Sequence, residues 1–314
     1  MRFSAMRIRS RQIVALSAYA AVLMVAAAGT ADAVQTLIVR PDSPGTIVTN
    51  RAASPELAWD DDGSTRATVT AWFNMSPFSG VSRSVGSDLG TIVGVTLAVD
   101  GASTPAFNDD RVGTRWVASD SETGVWHLLP TNGTRDTTFF NVTAERTWSW
   151  ADFGTLELVV AHGAQGFPDG FYYLYEIALV ISYIPVVSVE VTDSTFPFGT
   201  LPLDNWATPQ RTRIINDGTG VEDFNGRLSV FTAAPHTWSL DPATNGPDTV
   251  RAQWSTAGAG GPWNDIAAYD TDFLIQTGIA PSDTVSFWLR ILTPTSTGSY
   301  DEHSSTLTVS AVES

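Results

Sequence analysis

The run FYYLYEIALVISYI at residues 171–184 limits the fold more than any other stretch. At a period of two, Tyr173, Tyr175, Ile177, Leu179, Ile181 and Tyr183 share one face, and Leu174, Glu176, Ala178, Val180 and Ser182 share the other. One face is wholly apolar and the other nearly so, as in a strand covered on both sides in the middle of a sheet. An earlier apolar run, residues 154–161, is separated from it by Gly, Pro and Asp, which predicts a β-hairpin closing that sheet. Such a strand needs a two-layer domain whose other strands come from the residues before it. A second series of strands begins past Pro185, so one domain ends there.

The N-terminus has a different character. Arg2, Arg7, Arg9 and Arg11 precede an uncharged, Ala- and Val-rich run from Ile13 to Gly29, and Ala31, Asp32 and Ala33 form an A-x-A site before Val34. This is the pattern of a secretory signal peptide over residues 1–33, with an uncleaved anchor as the alternative. Of 314 residues, 281 then remain, enough for two separate cores. There is no cysteine, so thiol and thiolate-metal chemistry are excluded. Loss of the leader removes four Arg and one Asp and moves the formal charge from -16 to -19. All seventeen basic residues are Arg. This balance argues against nucleic acid as a partner, because phosphate recognition needs a basic face, and equally against an anionic membrane surface.

Short strands separated by Gly, Asp and Pro run through residues 34–185, at 35–40, 67–73, 92–99, 124–129 and 137–143, with no helical period between them. The pattern predicts an antiparallel sandwich or jelly roll. Asp62, Gly63, Ala67 and Thr68, then Ile92, Gly94 and Val95, then T-W-S-W-A-D at 147–152 and a last strand ending in Tyr183, together resemble a jelly-roll module. Such modules recur in phage tail-fibre-like and secreted bacterial surface proteins. The resemblance covers about half the mature chain and implies a sandwich for display, attachment or assembly, without catalytic residues.

Residues 186–314 alternate more cleanly, with Val187, Val189 and Val191 opposing Ser188, Glu190 and Thr192. Further strands are expected at 211–216, 227–232, 249–254, 284–292 and 306–312, with turns at 216–218, Asn225-Gly226, 245–247 and Pro294. The spacing is similar in a general way to Ig-like sandwiches. The fold class is thus all-β, two antiparallel β-sandwich domains in tandem, jelly-roll-like and then Ig-like, behind a signal peptide.

Asp60, Asp61 and Asp62 before Gly63 are the best metal candidates, since calcium takes hard oxygen ligands that adjacent carboxylates on a tight turn supply; a solvated Asp-Gly turn uses the same letters. Trp148 and Trp150 share strand parity, so an extended backbone would aim both indoles one way, as a sugar-binding face requires; core packing is the competing use. Glu157 and Glu176, on the two arms of the expected hairpin, are raw material for a paired-carboxylate glycosidase, with a solvent-facing or Arg-paired role as the alternative. His127, His162, His236 and His303 have no metal-ligand spacing, and no nucleophile elbow or phosphate loop is present. Asn74, Asn132 and Asn141 lie in glycosylation sequons. The expectation is a secreted or cell-surface, non-catalytic attachment or structural protein, with a carbohydrate-binding module as the alternative. Its partners would be an extracellular glycan or further copies joined through sheet edges.

Overall fold

The computed structural model describes residues 13–15, 34–44, 52–53, 65–70, 76–82, 88–104, 111–163 and 171–314. It divides at Pro185–Val186 into two units, residues 32–185 and residues 186–314, the latter together with the short strand β1 (Ile13–Ala15). The expected acidic metal turn, Asp60, Asp61 and Asp62, lies outside the described residues. Among the described residues no helix is long and apolar enough to cross a membrane.

In chain order the first unit contains β2 (Gln35–Val39), β3 (Pro41–Pro44), β4 (Ala52–Ala53), β5 (Ala67–Thr70), β6 (Ser76–Ser82), β7 (Gly90–Ser103), β8 (Arg111–Val117), β9 (His127–Leu128), β10 (Asp136–Asn141), β11 (Glu157–Gly163) and β12 (Phe171–Pro185). One sheet runs β10-β7-β12-β5-β4, with β2 also paired to β12, and the other runs β3-β6-β11-β8-β9. Leu97, Val99, Ile177 and Leu179 of the first sheet meet Val112, Trp116, Leu158 and Val160 of the second in one buried core. This is a two-layer sandwich.

β12 is the mid-sheet strand that its composition predicts, flanked by β7 on one side and by β5 and β2 on the other. The alternation changes phase partway. Leu174 pairs with Gly101 and Glu176 with Asp100, so Tyr175 is an extra residue, a β-bulge. Tyr172 and Leu174 before the bulge face the core together with Ile177, Leu179, Ile181 and Tyr183 after it, and Tyr173 and Tyr175 turn outward. A matching irregularity in β7 puts Val93 out and brings Ile92 opposite Tyr183. The expected hairpin is also corrected: β11 and β12 are not paired but lie in opposite sheets, because each finds its hydrogen-bond partners elsewhere, β11 in β6 and β8 and β12 in β7.

The second unit contains β13 (Val189–Val191), β14 (Thr200–Pro202), β15 (Gln210–Asn216), β16 (Glu222–Leu228), β17 (Phe231–Ala233), β18 (His236–Leu240), β19 (Thr249–Ser255), β20 (Asn264–Asp265), β21 (Asp272–Ile279), β22 (Thr284–Leu292) and β23 (Leu307–Glu313). β1 pairs with β14. The larger sheet runs β13-β15-β22-β19-β18-β17 with β20 on β19, and the smaller runs β21-β16-β23. Trp238, Trp254, Phe224 and Phe287 fill the core between them. One pairing departs from the antiparallel expectation, β18 lying parallel to β19 at Ser239 and Leu240. The expected turn at Asn225-Gly226 is instead the middle of β16, where a Cβ on Gly226 would stand 2.5 Å from the Phe273 ring.

One buried carboxyl ties the start of this unit to its centre. Glu222 is fully buried; its Oε1 accepts the Ser188 amide at 2.9 Å, while Oε2 has no hydrogen-bond partner among the described residues. Burial pushes its pKa up to about 7, the Ser188 amide opposes the shift, and the nearby Asp217 charge adds to it. Gly218 leaves room for this carboxyl: a Cβ there would lie 2.1 Å from Glu222 Oε1 and 2.4 Å from the Val186 carbonyl.

Two outcomes follow from this arrangement. Gly218→Ala forces backbone as well as side chain to move and should cost roughly 1–3 kcal/mol of stability, read as a lower urea midpoint. Because the folded pKa of Glu222 lies above its ordinary value, its stabilising contribution is complete below about pH 4.5 and is lost as pH rises through about 7. The loss amounts to at most about 3 kcal/mol. Glu222→Gln should flatten the slope of stability against pH in that window, and parallel profiles for the two proteins would refute the assignment.

Candidate functional site

The outward rows of the six-stranded sheet combine apolar side chains with paired charges. Strand register sets Ala178 opposite Ala98 and Ala98 opposite Phe139, and Arg40 follows Val39, the partner of Leu179. The two alanines floor a hollow of about 210 Å³, walled by Ile38, Val180 and Phe139 and bounded by Arg40, Glu176, Asp100 and Thr137. Phe139 is 63% exposed and Ile38 48%, high values for large apolar groups on a folded sheet. Arg40 Nε reaches Glu176 Oε1 at 2.8 Å, and Arg135 bonds both oxygens of Asp100. Arg135 lies 3.8 Å from the ring centroid of Tyr175, and Arg66 lies 3.7 Å from that of Tyr173. The bulge at Tyr175 creates this rim, since in unbroken alternation with Ile177 both tyrosines would face the core. Phe139 belongs to β10, which pairs with β7 alone among the described strands and so leaves one backbone edge free.

A second, polar cavity of about 530 Å³ is lined by Trp116, Glu122, Thr123, Glu145, Arg146 and Thr147. The Glu145 carboxylate accepts the Trp116 indole N–H at 2.8 Å and the Val125 amide at 3.1 Å, and its other oxygen lies 2.7 Å from His127 Nε2. With both oxygens engaged, this carboxylate holds the β8–β9 connection in place rather than offering a free base. Arg146 is ion-paired with Asp152 at 3.0 Å, Asp120 at 3.3 Å and Glu122 at 3.6 Å.

Residues 147–152 do not form the extended stretch that would aim Trp148 and Trp150 together. Residues Trp150–Gly154 make a 3₁₀ turn closed by a capping box, in which Asp152 accepts from the Ser149 amide and hydroxyl. Trp150 is 7% exposed, donates to the Gly90 carbonyl at 2.6 Å and meets Tyr183 edge-on. Trp148 is half-buried, donates to the Val142 carbonyl at 3.2 Å and stacks on Phe153 with ring centroids 5.5 Å apart. Both indoles thus spend their faces and N–H groups on the core of the first unit. Glu157 and Glu176 share no cleft: Glu157 is buried in the five-stranded sheet, and Glu176 stands on the outer face of the other sheet. Among the described residues no three His, Asp or Glu side chains converge on a common metal position.

Neither Phe139 nor the Ala98–Ala178 floor is marked in the sequence, since a residue's exposure depends on which strand becomes the sheet edge. The signal that was available is the pair of adjacent rings, Phe139-Phe140, which a strand must send to opposite faces.

No protein-family model matches the chain, and no curated protein matches it. Among solved structures it is similar to a β-1,2-glucanase from Parabacteroides distasonis at 8% identity and a TM-score of 0.21, over 95% of this chain. The chain spans 39% of that glucanase. It is also similar to allantoicase, at 10% identity and a TM-score of 0.19 over 70% of this chain and 78% of that one. The PBSX exported protein XepA matches at 10% identity and a TM-score of 0.20 over 81% of this chain and 93% of that one. At such scores these likenesses carry no argument about what the chain does.

Proposed function

We propose that the protein is a secreted or cell-surface, non-catalytic attachment and assembly protein, and that copies of it associate through the β10 side of the first unit. The observation that carries this is Phe139, a large ring 63% exposed on an edge strand, beside the alanine-floored hollow. A second copy is the occupant argued for. The rim offers both signs of charge, Arg40 and Arg135 with Glu176 and Asp100, so a two-fold-related copy can set each cation against an anion. The free β10 edge supplies backbone donors and acceptors for antiparallel continuation of the sheet. The leader-like pattern at residues 1–33 supports export, and its removal would take β1 from β14. Jelly-roll-like and Ig-like topologies for the two units accord with this use.

Light scattering during size exclusion of the leader-free chain tests the proposal. Association that increases with concentration is expected, and Phe139→Glu should return the protein to monomer with an unchanged thermal midpoint. A monomer at every concentration, or a dimer indifferent to Phe139→Glu, would overturn the reading. Repeating the run in calcium and then in chelator tests whether Asp60, Asp61 and Asp62 take a cation.

A further inference from the structure

The chain has 33 acidic residues against 17 arginines, so an arginine without a carboxylate partner is unexpected. The second unit contains five arginines, and two of them are paired, Arg227 with Asp272 and Arg251 with Asp265, each at 2.7 Å. The other three, Arg211, Arg213 and Arg290, have no carboxylate within ion-pair distance among the described residues, and all three stand on the outer face of the larger sheet. Alternation fixes that placement: Thr212, Ile214, Phe287, Leu289, Ile291, Ala252 and Trp254 are buried, so their strand neighbours Arg211, Arg213, Trp288, Arg290, Arg251 and Gln253 point away from the core.

Indoles organise these cations. The Arg290 guanidinium lies between two rings, 4.2 Å from the centroid of Trp206 and 4.1 Å from that of Trp263. Its Nε and Nη2 both donate to the neutral Gln253 Oε1, which leaves its charge uncompensated by hydrogen bonding to an anion. Arg251 approaches the other indole contact, 5.7 Å from Trp206, and Arg211 lies 5.7 Å from the Trp288 ring. Gln253 links the two halves of the cluster by donating to Asp265 at 2.8 Å. Burial first, and then the neighbouring Arg251 charge, push Arg290 toward losing its proton, and the Asp265 charge opposes them.

We propose that this face, Arg211, Arg213 and Arg290 with Trp206, Trp263 and Trp288, binds a carboxylate-bearing polysaccharide. Planar guanidinium groups take carboxylates through two parallel hydrogen bonds, and indole faces accept the apolar C–H faces of sugar rings. Arg211 and Arg213 are two positions apart on β15, roughly 7 Å along the strand, so both can engage carboxylates of one extended chain. Ser286, which stands opposite Arg213 on the facing strand and bonds Arg211, adds a hydroxyl where a protein partner would need a desolvated apolar centre. A net charge of -16 on the whole chain works against a polyanion as dense as nucleic acid. The site lies in a different unit from the Phe139 edge and stands independently of the assembly proposal.

Calorimetric titration of the full chain with a short oligogalacturonate, and with a neutral cello-oligosaccharide for comparison, tests this. Binding of the acidic sugar alone is expected, and it should weaken as salt is raised. Arg211→Gln with Arg213→Gln, both exposed and therefore harmless to folding, should weaken binding on the order of tenfold. Arg290→Gln should abolish it, with the thermal midpoint recorded to separate lost binding from lost fold. Three results overturn the proposal: no heat with oligogalacturonate, equal binding by the arginine variants, or single-stranded DNA binding at least as tightly as the sugar. A salt-sensitive dimer that Arg213→Gln dissolves in the absence of any sugar would also overturn it, by showing that a second copy covers this face.

Discussion

Pairing between β7 and β12 is the constraint on which the first unit depends. The two strands stay paired from Ser103 and Tyr172 to Gly90 and Pro185, and every other strand of that sheet except β4, which joins through β5, attaches to one of them. Long antiparallel pairing fixes which side chains go inward, because a slip of one residue inverts a whole strand. Two irregularities interrupt this register, at Tyr175 and at Val93, and the first falls where the outer face carries its stacked arginines. Ile92 opposite Tyr183 keeps the core continuous past one, and Tyr172 with Leu174 keeps it continuous past the other. Gly101 makes the second possible, since a Cβ there would stand 2.3 Å from the Tyr172 hydroxyl.

Much of the secondary structure was legible because it follows simple periods. Thr284–Leu292 alternates without fault and is a strand over that span, and the apolar content of residues 171–184 does reflect a mid-sheet position. What failed were inferences from adjacency. The runs at 154–161 and 171–184 follow one another and read as a hairpin, but nothing in their letters distinguishes a turn back along one sheet from a crossing to the opposite one. Asn225-Gly226 has turn chemistry, yet Gly226 is needed for a ring crossing over it. β21 was missed because the register irregularities of its pairing with β16 disrupt the alternation that would have announced it. The S-x-x-D spacing of Ser149 and Asp152 did carry a capping signal, which the two neighbouring tryptophans obscured. The Arg–Trp face could not be read at all, since its members run from Trp206 to Arg290 and only strand order brings them together.

A chain without lysine has one kind of cation, and the structure uses its shape. Arg66 and Arg135 lie over tyrosines, and Arg115, Arg211 and Arg290 lie over tryptophans. A guanidinium can stack on a ring and still donate in its own plane, as Arg135 does to Asp100 and Arg290 does to Gln253. An ammonium group offers no such plane. The two units thus share a device although their sheets differ: flat cations laid on aromatic rings on outward faces, with hydrogen bonds directed sideways.

The bulge at Tyr175 lets β12 carry one side chain more than the strand it pairs with. Remove that single residue and strict alternation returns with the register unchanged: Leu174 still meets Gly101 and Glu176 still meets Asp100, so Tyr172 and Leu174 stay inward and Tyr173 stays outward. The interior would keep its two tightly fitted side chains, and of the stacked arginines Arg135 alone would lose its ring. An inserted residue, usually regarded as a flaw in a ladder, here adds chemistry to the outside of the sheet at no cost to the order within.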